Sequence, residues 1–359
     1  MNKKLRVGVL GATGFVGQRL ITLLNNHPFF EVTVLGASPR SAGKTYKNIL
    51  ESTWKLDTPM PEYAKDMIIK DINSINEIKG LVDFVFCAVN MPKEDIKKIE
   101  EAYAKAEVPV VSNNSAHRMT KDVPVIIPEI NNNHLKAIEA QKKRLNTTKG
   151  FIVAKPNCSI QSYVPALTPL MQFKPTKVLV STYQAISGSG KTPKEWPEMN
   201  DNVIPFIGGE EEKSEQEPLK VWGNVDETGI TLAEYPVISA QCIRVPVSDG
   251  HLATVAVSFE NKPTKEEIIS LWKNYKGRPQ ELELPLAPKQ FLTYFEDETR
   301  PQTRIDREIE KGMGITIGRL REDNIFDYKF VCLSHNTLRG AAGGALLTAE
   351  LLYAEGLLK

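Results

Sequence analysis

Short apolar runs alternate with amphipathic stretches through the first half of the chain. The run Val82–Val89 has no polar alternation past Asp83, which is typical of a strand buried on both faces of a parallel sheet. The stretches between the runs carry apolar residues at helical spacing. We predict strands at Leu5–Leu10, Val32–Leu35, Val82–Val89 and Val108–Ser112, and helices at Gly14–Asn26 and Lys93–Lys105. This alternation of strands and helices indicates an α/β fold with a doubly wound, Rossmann-type sheet.

The pattern changes near Phe151, where the strands become longer and the helices fewer. We predict strands at Lys177–Ile186, Ile238–Val247, Leu252–Glu260, Met313–Leu320 and Tyr328–Ser334. Long strands in succession favour a mostly antiparallel sheet, hence an α+β second domain. Such a sheet can pack on a helix at Lys265–Tyr275 and leave its other face for a partner subunit. The chain closes with an apolar helix at Thr337–Leu358.

The length of 359 residues suggests two domains. We expect a Rossmann-type domain over residues 1–155, completed by the C-terminal helix 337–359, and a second domain over residues 156–336. The formal net charge of +1 favours neither nucleic acid nor an anionic membrane surface as a partner. The first residues, Met1–Arg6, run straight into a strand pattern, so we expect no signal peptide, no membrane span and a cytoplasmic location.

The four cysteines form no CxxC pair, which argues against structural zinc and against a dithiol redox site. Three of them, Cys87, Cys242 and Cys332, stand in apolar, strand-like runs. We expect these three to be inert core thiols. We therefore predict no metal site.

The fourth cysteine, Cys158, follows a predicted strand at Phe151–Ala154 and precedes a helical stretch. The positive end of that helix should lower the pKa of the thiol and favour the thiolate. A nearby base would complete the activation. His251 is the best candidate, since it lies in the turn Ser248–His251 between two strands. The alternatives are a buried, unreactive cysteine and a solvated histidine.

A glycine-rich turn, Gly11-Ala12-Thr13-Gly14-Phe15-Val16-Gly17, follows the first strand directly. Its glycines allow the backbone to approach a pyrophosphate, and the next helix points free N–H groups at the negative charge. The position between a strand and a helix supports dinucleotide binding over a plain βα turn. The candidate cofactor contacts here are Gly11, Thr13, Gly14, Phe15 and Val16.

The end of the second strand lacks the acid that usually holds a ribose 2′-hydroxyl in NAD-binding proteins. Ser38, Arg40 and Ser41 stand there instead and can hold a 2′-phosphate, with Arg40 offering a charged fork. NADP is therefore favoured over NAD, and the alternative is a solvated Arg40. Together with a thiol and an imidazole, this cofactor suits hydride transfer to a thioester.

Six motifs, in order along the chain, resemble those of the aspartate-semialdehyde dehydrogenase family, in the branch typical of archaea and fungi. The resemblance spans essentially the whole chain, and the order of the motifs makes it specific. They are the dinucleotide loop Gly11–Gly17, the phosphate-binding segment Ser112–Arg118, the nucleophile motif Pro156–Ser159, the glutamine segment Tyr183–Gly188, the arginine–histidine segment Arg244–His251 and the glycine-rich segment Asn336–Gly344.

The resemblance implies that Cys158 attacks β-aspartyl phosphate, expels phosphate and forms a thioester, which NADPH reduces to aspartate semialdehyde. This reaction belongs to lysine, threonine and methionine biosynthesis. For catalysis, the resemblance implies that His251 acts as acid and base and that Gln184 orients the acyl group. For the substrate, it implies that Arg244 binds the α-carboxylate, Glu210 the α-amino group, and Arg118 with Lys213 the phosphate. The implied cofactor contacts are Asn90, Ser187, Gly188 and Asn336. The resemblance also implies a homodimer or homotetramer, joined through the sheet of a catalytic and dimerisation domain.

Two positions depart from a clear match. Glu210, Glu211 and Glu212 are consecutive, so a neighbour of Glu210 could be the ligand, or the run could be a solvated face. Ile160 stands two positions after the nucleophile, where a small hydroxyl residue is expected, and it could alter the local pocket.

Rival functions remain. The nearest are reductases of the same superfamily that act on malonyl-CoA or N-acetylglutamyl phosphate. Asn157 before the cysteine, together with Arg118 and Lys213, favours aspartyl phosphate over malonyl-CoA. Rivals of other classes are a non-catalytic NADP-binding sensor and a cysteine acyltransferase or hydrolase that needs no nicotinamide.

Overall fold

The computed structural model describes residues 3–358. Its first sheet has six parallel strands in the order β3-β2-β1-β4-β5-β6. These are β1 (Leu5–Leu10), β2 (Phe30–Ala37), β3 (Ile69–Asp71), β4 (Phe84–Cys87), β5 (Val110–Ser112) and β6 (Ile152–Ala154). The strand order reverses beside β1, and doubly wound sheets bind ligands at the carboxyl ends of the strands near such a reversal.

The second sheet also has six strands, in the order β10-β7-β11-β14-β13-β12. Three of its five pairings are antiparallel, whereas β7–β10 and β12–β13 are parallel. A separate hairpin pairs β8 with β9. The strands are β7 (Pro175–Gln184), β8 (Asn224–Asp226), β9 (Gly229–Thr231), β10 (Val237–Arg244), β11 (His251–Phe259), β12 (Leu292–Phe295), β13 (Ile315–Glu322) and β14 (Tyr328–Ser334).

Helices surround the two sheets. They are α1 (Phe15–Leu23), α2 (Tyr46–Leu50), α3 (Glu62–Lys65), α4 (Ile75–Ile78), α5 (Lys93–Lys105), α6 (Ala137–Leu145), α7 (Ile160–Leu167), α8 (Glu210–Val221), α9 (Lys265–Asn274), α10 (Arg278–Glu281), α11 (Thr303–Asp306) and α12 (Gly343–Ala354). Successive residues of β4 point to opposite faces of the first sheet, so Phe84 and Val85 belong to different cores. The C-terminal helix α12 shares the core of Phe84, because Leu346 and Leu352 pack there.

The second sheet has one covered face and one open face. The covered face packs on α7 and α9, with Trp272 and Phe330 fully buried in its core. On the other face the side chains alternate with the buried ones, and Leu179 and Val237 are 42% and 61% exposed. This open face is the one that we expect to meet a partner subunit.

The C-terminal helix is shorter than predicted, because a π-helical turn at Leu338–Ala342 precedes α12. Arg339 explains this turn: its buried guanidinium donates to the carboxylate of Glu129 and to the backbone oxygen of Met313. These bonds tie the turn to segments far away in sequence. Helical structure therefore begins near the predicted residue, but its first turn is π-helical and makes the Arg339 contacts, which the apolar pattern does not predict.

Candidate active site

Four strands of the second sheet place polar residues at one end of that sheet. Gln184 and Arg244 are the last residues of β7 and β10, and they pair directly because these strands are parallel. His251 begins β11 and pairs with Ser334, the last residue of the antiparallel strand β14. The strand directions thus bring these side chains to one rim.

Cys158 lies where the first sheet faces this rim. It stands between β6 and α7 and is partly exposed. Asn157 shapes the loop, because its Oδ1 accepts hydrogen bonds from the backbone N–H and the hydroxyl of Ser159 at 2.9 and 3.2 Å. Ile160 is fully buried in the core of the second sheet. Ile160 therefore does not line the cavity beside Cys158.

The imidazole of His251 approaches the thiol. Its Nε2 lies 3.5 Å from Cys158 Sγ, and its Nδ1 accepts a hydrogen bond from the backbone N–H of Ala185 at 3.0 Å. Burial, with the nearby guanidinium of Arg244, lowers the pKa of His251 to about 3. The ring is therefore neutral at physiological pH.

The expectation that the helix lowers the pKa of the Cys158 thiol is wrong. Burial raises this pKa, and the carboxylate of Glu210 adds to the rise. Lys155, Arg118 and Arg244 act in the opposite direction without overcoming it. The loss of hydration therefore outweighs the nearby positive charges.

Glu210 accepts hydrogen bonds from three polar side chains of the site. Its carboxylate accepts hydrogen bonds from Lys213 Nζ at 2.7 Å, from Asn157 Nδ2 at 3.0 and 3.1 Å and from Gln184 Nε2 at 3.2 Å. Burial by itself raises the pKa of Glu210, but these three partners bring it below its ordinary value. Glu210 is thus a carboxylate with a side chain only 12% exposed, and its partners favour its charged form.

The structure distinguishes the three consecutive glutamates, because successive residues of α8 point to different sides of the helix. Glu210 lines the cavity beside Cys158. Glu211 accepts a hydrogen bond from the backbone N–H of Cys242 at 3.3 Å, and Glu212 is exposed. Among the three, only Glu210 therefore faces the nucleophile.

Arg118 is held by three hydrogen bonds within the protein. Its Nε donates to the backbone oxygen of Lys155 at 2.9 Å, and its Nη2 to that of Asn113 at 3.0 Å. Its Nη1 donates to Glu217 Oε1 at 2.9 Å, and Glu217 Oε2 accepts the backbone N–H of Asn157 at 2.6 Å. The Arg118–Glu217 pair therefore ties α8 to the loop that carries the nucleophile.

The rims of the two sheets enclose a cavity of about 370 Å³. Gln184 and His251 adjoin it through Glu210 and Cys158 respectively. Most of the remaining candidate residues line it directly, namely Phe15, Val16, Asn90, Arg118, Cys158, Ser187, Gly188, Glu210, Lys213 and Asn336. The cavity lining therefore collects residues from five of the six motifs, and the sixth, Arg244–His251, adjoins the cavity through His251.

Asn336 links two of the loops around this cavity. Its Oδ1 accepts the backbone N–H of Gly250 at 2.8 Å, and its Nδ2 donates to Ser187 Oγ at 2.8 Å. Ser38, Arg40 and Ser41 stand apart from the cavity lining, in a turn at the end of β2. The structure therefore does not bring these three residues next to Cys158.

Comparisons with known proteins place this chain among similar ones. The family model for "Semialdehyde dehydrogenase, NAD binding domain" matches residues 6–138, and that for "Semialdehyde dehydrogenase, dimerisation domain" matches residues 167–339. The aspartate-semialdehyde dehydrogenase of Methanothermobacter thermautotrophicus is 43% identical over 97% of this chain and 99% of its own. That of Saccharomyces cerevisiae is 42% identical over the full length of both chains.

The chain belongs to the aspartate-semialdehyde dehydrogenase family.

A solved member of this family has the same architecture. Aspartate semialdehyde dehydrogenase from Candida albicans, solved with NADP, superposes with a TM-score of 0.87 at 36% identity, over 99% of this chain and 100% of that one. The predicted fold class, a Rossmann-type parallel sheet followed by a second domain with its own sheet, is confirmed.

Sequence reasoning missed a row of charged residues on one face of α8. Glu217 and Lys220 are both buried, and Lys220 Nζ donates to the backbone oxygens of Arg118 and Thr120 at 2.7 and 2.6 Å. A signal for this row exists in the sequence. Glu217 and Lys220 continue the spacing of Glu210 and Lys213, which places all four on the same side of a helix.

Sequence reasoning also missed Lys155, which is 3% exposed. Its Nζ donates to the backbone oxygen of Pro156. Burial lowers the pKa of Lys155 to about 7, and Arg118 contributes to the shift. A lysine directly after an apolar strand gives little sign of such burial, because lysines are mostly found at the surface.

Between residues 3 and 358, no helix is long and apolar enough to cross a membrane. The same part of the chain holds no cluster of three or more His, Cys, Asp or Glu side chains suited to a metal ion.

Proposed function

We propose that this chain reduces L-aspartyl-4-phosphate to L-aspartate-4-semialdehyde with NADPH, through a thioester on Cys158. The observation that carries the proposal is the 3.5 Å contact between Cys158 Sγ and His251 Nε2 at the edge of a cavity shared with Glu210 and Lys213. The names of the relatives and the NADP in the related structure support it. The reaction serves lysine, threonine and methionine biosynthesis.

Cys158 provides the covalent step. Its sulfur attacks the acyl carbon, the bond from that carbon to the phosphate oxygen breaks, and phosphate leaves with the electron pair. Bound NADPH supplies the hydride that reduces the resulting thioester. Gln184, which donates to Glu210 at 3.2 Å, orients the acyl group beside the sulfur.

The charges around the cavity suit an amino acid that carries a phosphate. Arg244 is 5% exposed, uses Nη1 on the backbone oxygen of Ala185 at 2.6 Å and keeps further donors for the α-carboxylate. Glu210, charged and only 12% exposed at its side chain, binds the α-amino group. Lys213 and Arg118 bind the phosphate, since both line the cavity. The malonyl group of malonyl-CoA has no α-amino group to match Glu210.

The turn after β1 fits a dinucleotide. Gly11 has φ +85, and a Cβ there would lie 2.4 Å from the backbone oxygen of Ala88, so only glycine is tolerated. No side chain caps the N-terminus of α1, which leaves backbone N–H groups for the pyrophosphate. The proposed cofactor contacts are Gly11, Thr13, Gly14, Phe15 and Val16 at this turn, Ser38, Arg40 and Ser41 at the 2′-phosphate, and Asn90, Ser187, Gly188 and Asn336 at the cavity.

The same proposal covers the organisation of the protein. Residues 1–155 and 337–359 form the cofactor-binding domain, and residues 156–336 form the catalytic and dimerisation domain. The packing of α12 on the first sheet supports this division. The open face of the second sheet joins subunits into a homodimer or homotetramer, and the enzyme works in the cytoplasm.

The reverse reaction tests the function directly. Aspartate semialdehyde, phosphate and NADP should yield NADPH, and omission of phosphate should stop the reaction because the acyl phosphate cannot form. The Cys158→Ser variant is the matched control and should be inactive. Turnover without phosphate, or faster reduction of malonyl-CoA than of aspartyl phosphate in the forward direction, would contradict the proposal.

A further inference from the structure

Each of the two cations proposed for the phosphate has a carboxylate partner on α8. Lys213 Nζ lies 2.7 Å from Glu210 Oε1, and Arg118 Nη1 lies 2.9 Å from Glu217 Oε1. Glu210 and Glu217 are two helical turns apart, so both carboxylates lie on the same side of α8. The two cations and two carboxylates together carry no net formal charge.

The pair of Arg118 with Glu217 is the more deeply buried of the two. Its side chains are 9% and 4% exposed, whereas the side chain of Lys213 is 28% exposed. Charges act on each other most strongly where water is excluded. The charge that Arg118 presents to a ligand therefore depends strongly on Glu217.

Arg118 can donate to a ligand without releasing Glu217. Its Nη1 uses one hydrogen on Glu217 and its Nη2 uses one on the backbone oxygen of Asn113. Each of these nitrogens carries a second hydrogen. Arg118 lines the cavity together with Cys158, so we expect these hydrogens to be available to a phosphate there.

Other cations near the cavity do not replace the balanced charge of Arg118. Lys93 lines the cavity but is exposed, so water and salt screen its charge. Lys155 is buried but does not line the cavity. A phosphate in this cavity is therefore bound by directed N–H groups rather than by an excess of buried positive charge.

We infer that Glu217 sets the affinity of the site for phosphate: by balancing the charge of Arg118 it keeps inorganic phosphate weakly bound, so that phosphate leaves once Cys158 has taken the acyl group. Glu217 is a positioning residue, because it acts through Arg118. The inference deepens the proposed function and rests on it for the assignment of Arg118 and Lys213 to the phosphate.

The chemistry of the leaving group explains why such a balance is useful. When the bond between the acyl carbon and the phosphate oxygen breaks, its electron pair goes to phosphate. The leaving group is therefore most negative at the moment when it must depart. An unbalanced, buried guanidinium would then hold it by a strong charge-assisted hydrogen bond.

Protection of Cys158 measures the affinity for phosphate. Bound phosphate should shield the sulfur, since Arg118, Lys213 and Cys158 line one cavity, so alkylation by iodoacetamide should slow as inorganic phosphate is added. The phosphate concentration that halves the alkylation rate should be about tenfold lower in Glu217→Gln than in the wild type. Cys158→Ser gives the background from the buried cysteines.

Steady-state kinetics of the full-length enzyme should show the same change. Inhibition of the forward reaction by phosphate should be about tenfold stronger in Glu217→Gln, because the product leaves more slowly. The KM for NADPH should not change. A purely structural role for Glu217 predicts the opposite, namely weaker binding of phosphate in the variant.

Two further variants separate charge from packing. Glu217→Asp shortens the side chain but keeps its charge, so the half-protecting phosphate concentration should stay close to that of the wild type. Glu212→Gln is the matched control, because it removes a charge from an exposed position on the same helix and should have little effect. Unchanged or weaker phosphate binding in Glu217→Gln, or equally tight binding in Glu212→Gln, would overturn the inference.

Stability gives an independent measure. In Glu217→Gln, bound phosphate should compensate the charge of Arg118 and stabilise the variant more than the wild type at the same phosphate concentration. Urea unfolding in inorganic phosphate, and in potassium chloride at equal ionic strength, measures this difference. A variant that unfolds without phosphate should refold when phosphate is added. Equal stabilisation of both proteins by phosphate would contradict the role of Glu217.

Failure of the proposed function would look different from failure of this inference. If phosphate does not protect Cys158 in the wild type, the phosphate site itself is wrong, and the inference falls with it. An active, phosphate-dependent enzyme in which Glu217→Gln binds phosphate no more tightly would keep the function and remove only the inference.

Discussion

The two rims of the cavity are built differently. On the rim of the first sheet, the candidate cofactor residue Asn90 lines the cavity and is exposed, and Arg40, at the end of β2 and apart from the cavity, is exposed as well. On the rim of the second sheet, Gln184, Arg244 and His251 are 1%, 5% and 0% exposed. The nucleophile stands between the two rims and is partly exposed.

This difference separates two physical tasks. Loops at the ends of parallel strands can be reached by a large cofactor that must enter and leave. Side chains buried at strand ends keep one geometry, and hydrogen bonds between them are stronger away from water. Substitutions should therefore lower activity most at the nucleophile and the buried rim. Effects should be smaller where hydrogen bonds join the two rims, and smallest at the exposed rim.

The largest effect is expected where the rims meet. Cys158→Ala removes the covalent step and should lower kcat by about 10⁴-fold or more, while NADPH binding changes little. Single-turnover kinetics and cofactor titration check both parts. A variant with a rate near that of the wild type would exclude the thioester mechanism.

On the buried rim, Arg244→Lys should lower kcat/KM by about 10²- to 10³-fold. An ammonium cannot both keep the bond to Ala185 and provide a planar fork for a carboxylate. Arg304→Lys is the matched control, since Arg304 is exposed and should be neutral. Equal kcat/KM values in the two variants would exclude the proposed binding of the α-carboxylate by Arg244.

Between the rims, Glu217→Gln breaks the buried pair with Arg118. Removal of one charge from such a pair leaves the other uncompensated, and the free energy of unfolding should fall by about 3 kcal/mol. Urea unfolding measures this loss. The control Glu260→Gln acts on an exposed pair with Lys174 and should change stability little, so an equal loss in both variants would contradict the argument.

Lys155 adds a pH dependence at the same place. Its pKa is about 7 when folded and 10.5 as the ordinary value, so between these values the unfolded chain binds more protons. Stability from this group therefore rises with pH across that window. Relative to Lys155→Met, the wild type should gain about 2 kcal/mol in unfolding free energy from pH 7 to pH 9.

Urea unfolding of both proteins at the two pH values measures this gain. Lys98→Met serves as the control, because the Lys98 side chain is 78% exposed and should leave the pH dependence unchanged. If Lys155→Met and the wild type share one pH dependence, Lys155 is charged in the folded protein.

The smallest effect belongs to the exposed rim. Arg40→Ala should raise the KM for NADPH by about tenfold, because a charged hydrogen bond to the 2′-phosphate is lost at a solvated position. The KM for NADH should hardly change. If the KM values for NADPH and NADH rise by the same factor, Arg40 does not bind the 2′-phosphate.

Much of the fold could be predicted from local pattern. The strand Tyr328–Ser334 and the helix Lys93–Lys105 have the predicted bounds, because long apolar or amphipathic segments carry a clear period. The strand β12 was not predicted; its four residues join the sheet by pairing with β13, which lies further along the chain. His251 was expected in a turn but begins a strand, because its pairing with Ser334 depends on a segment far along the chain.

Local sequence patterns were enough to predict most strands of the two sheets, the glycine turn against a strand end and the residue types needed for a thioester and a nicotinamide. These follow from local periodicity and from chemistry that each residue carries with it. Which glutamate faces the nucleophile, how close the imidazole comes to the thiol and in which direction the pKa of the thiol moves became clear from the three-dimensional arrangement. Those properties depend on burial and on neighbours supplied by distant segments, and no local pattern records them.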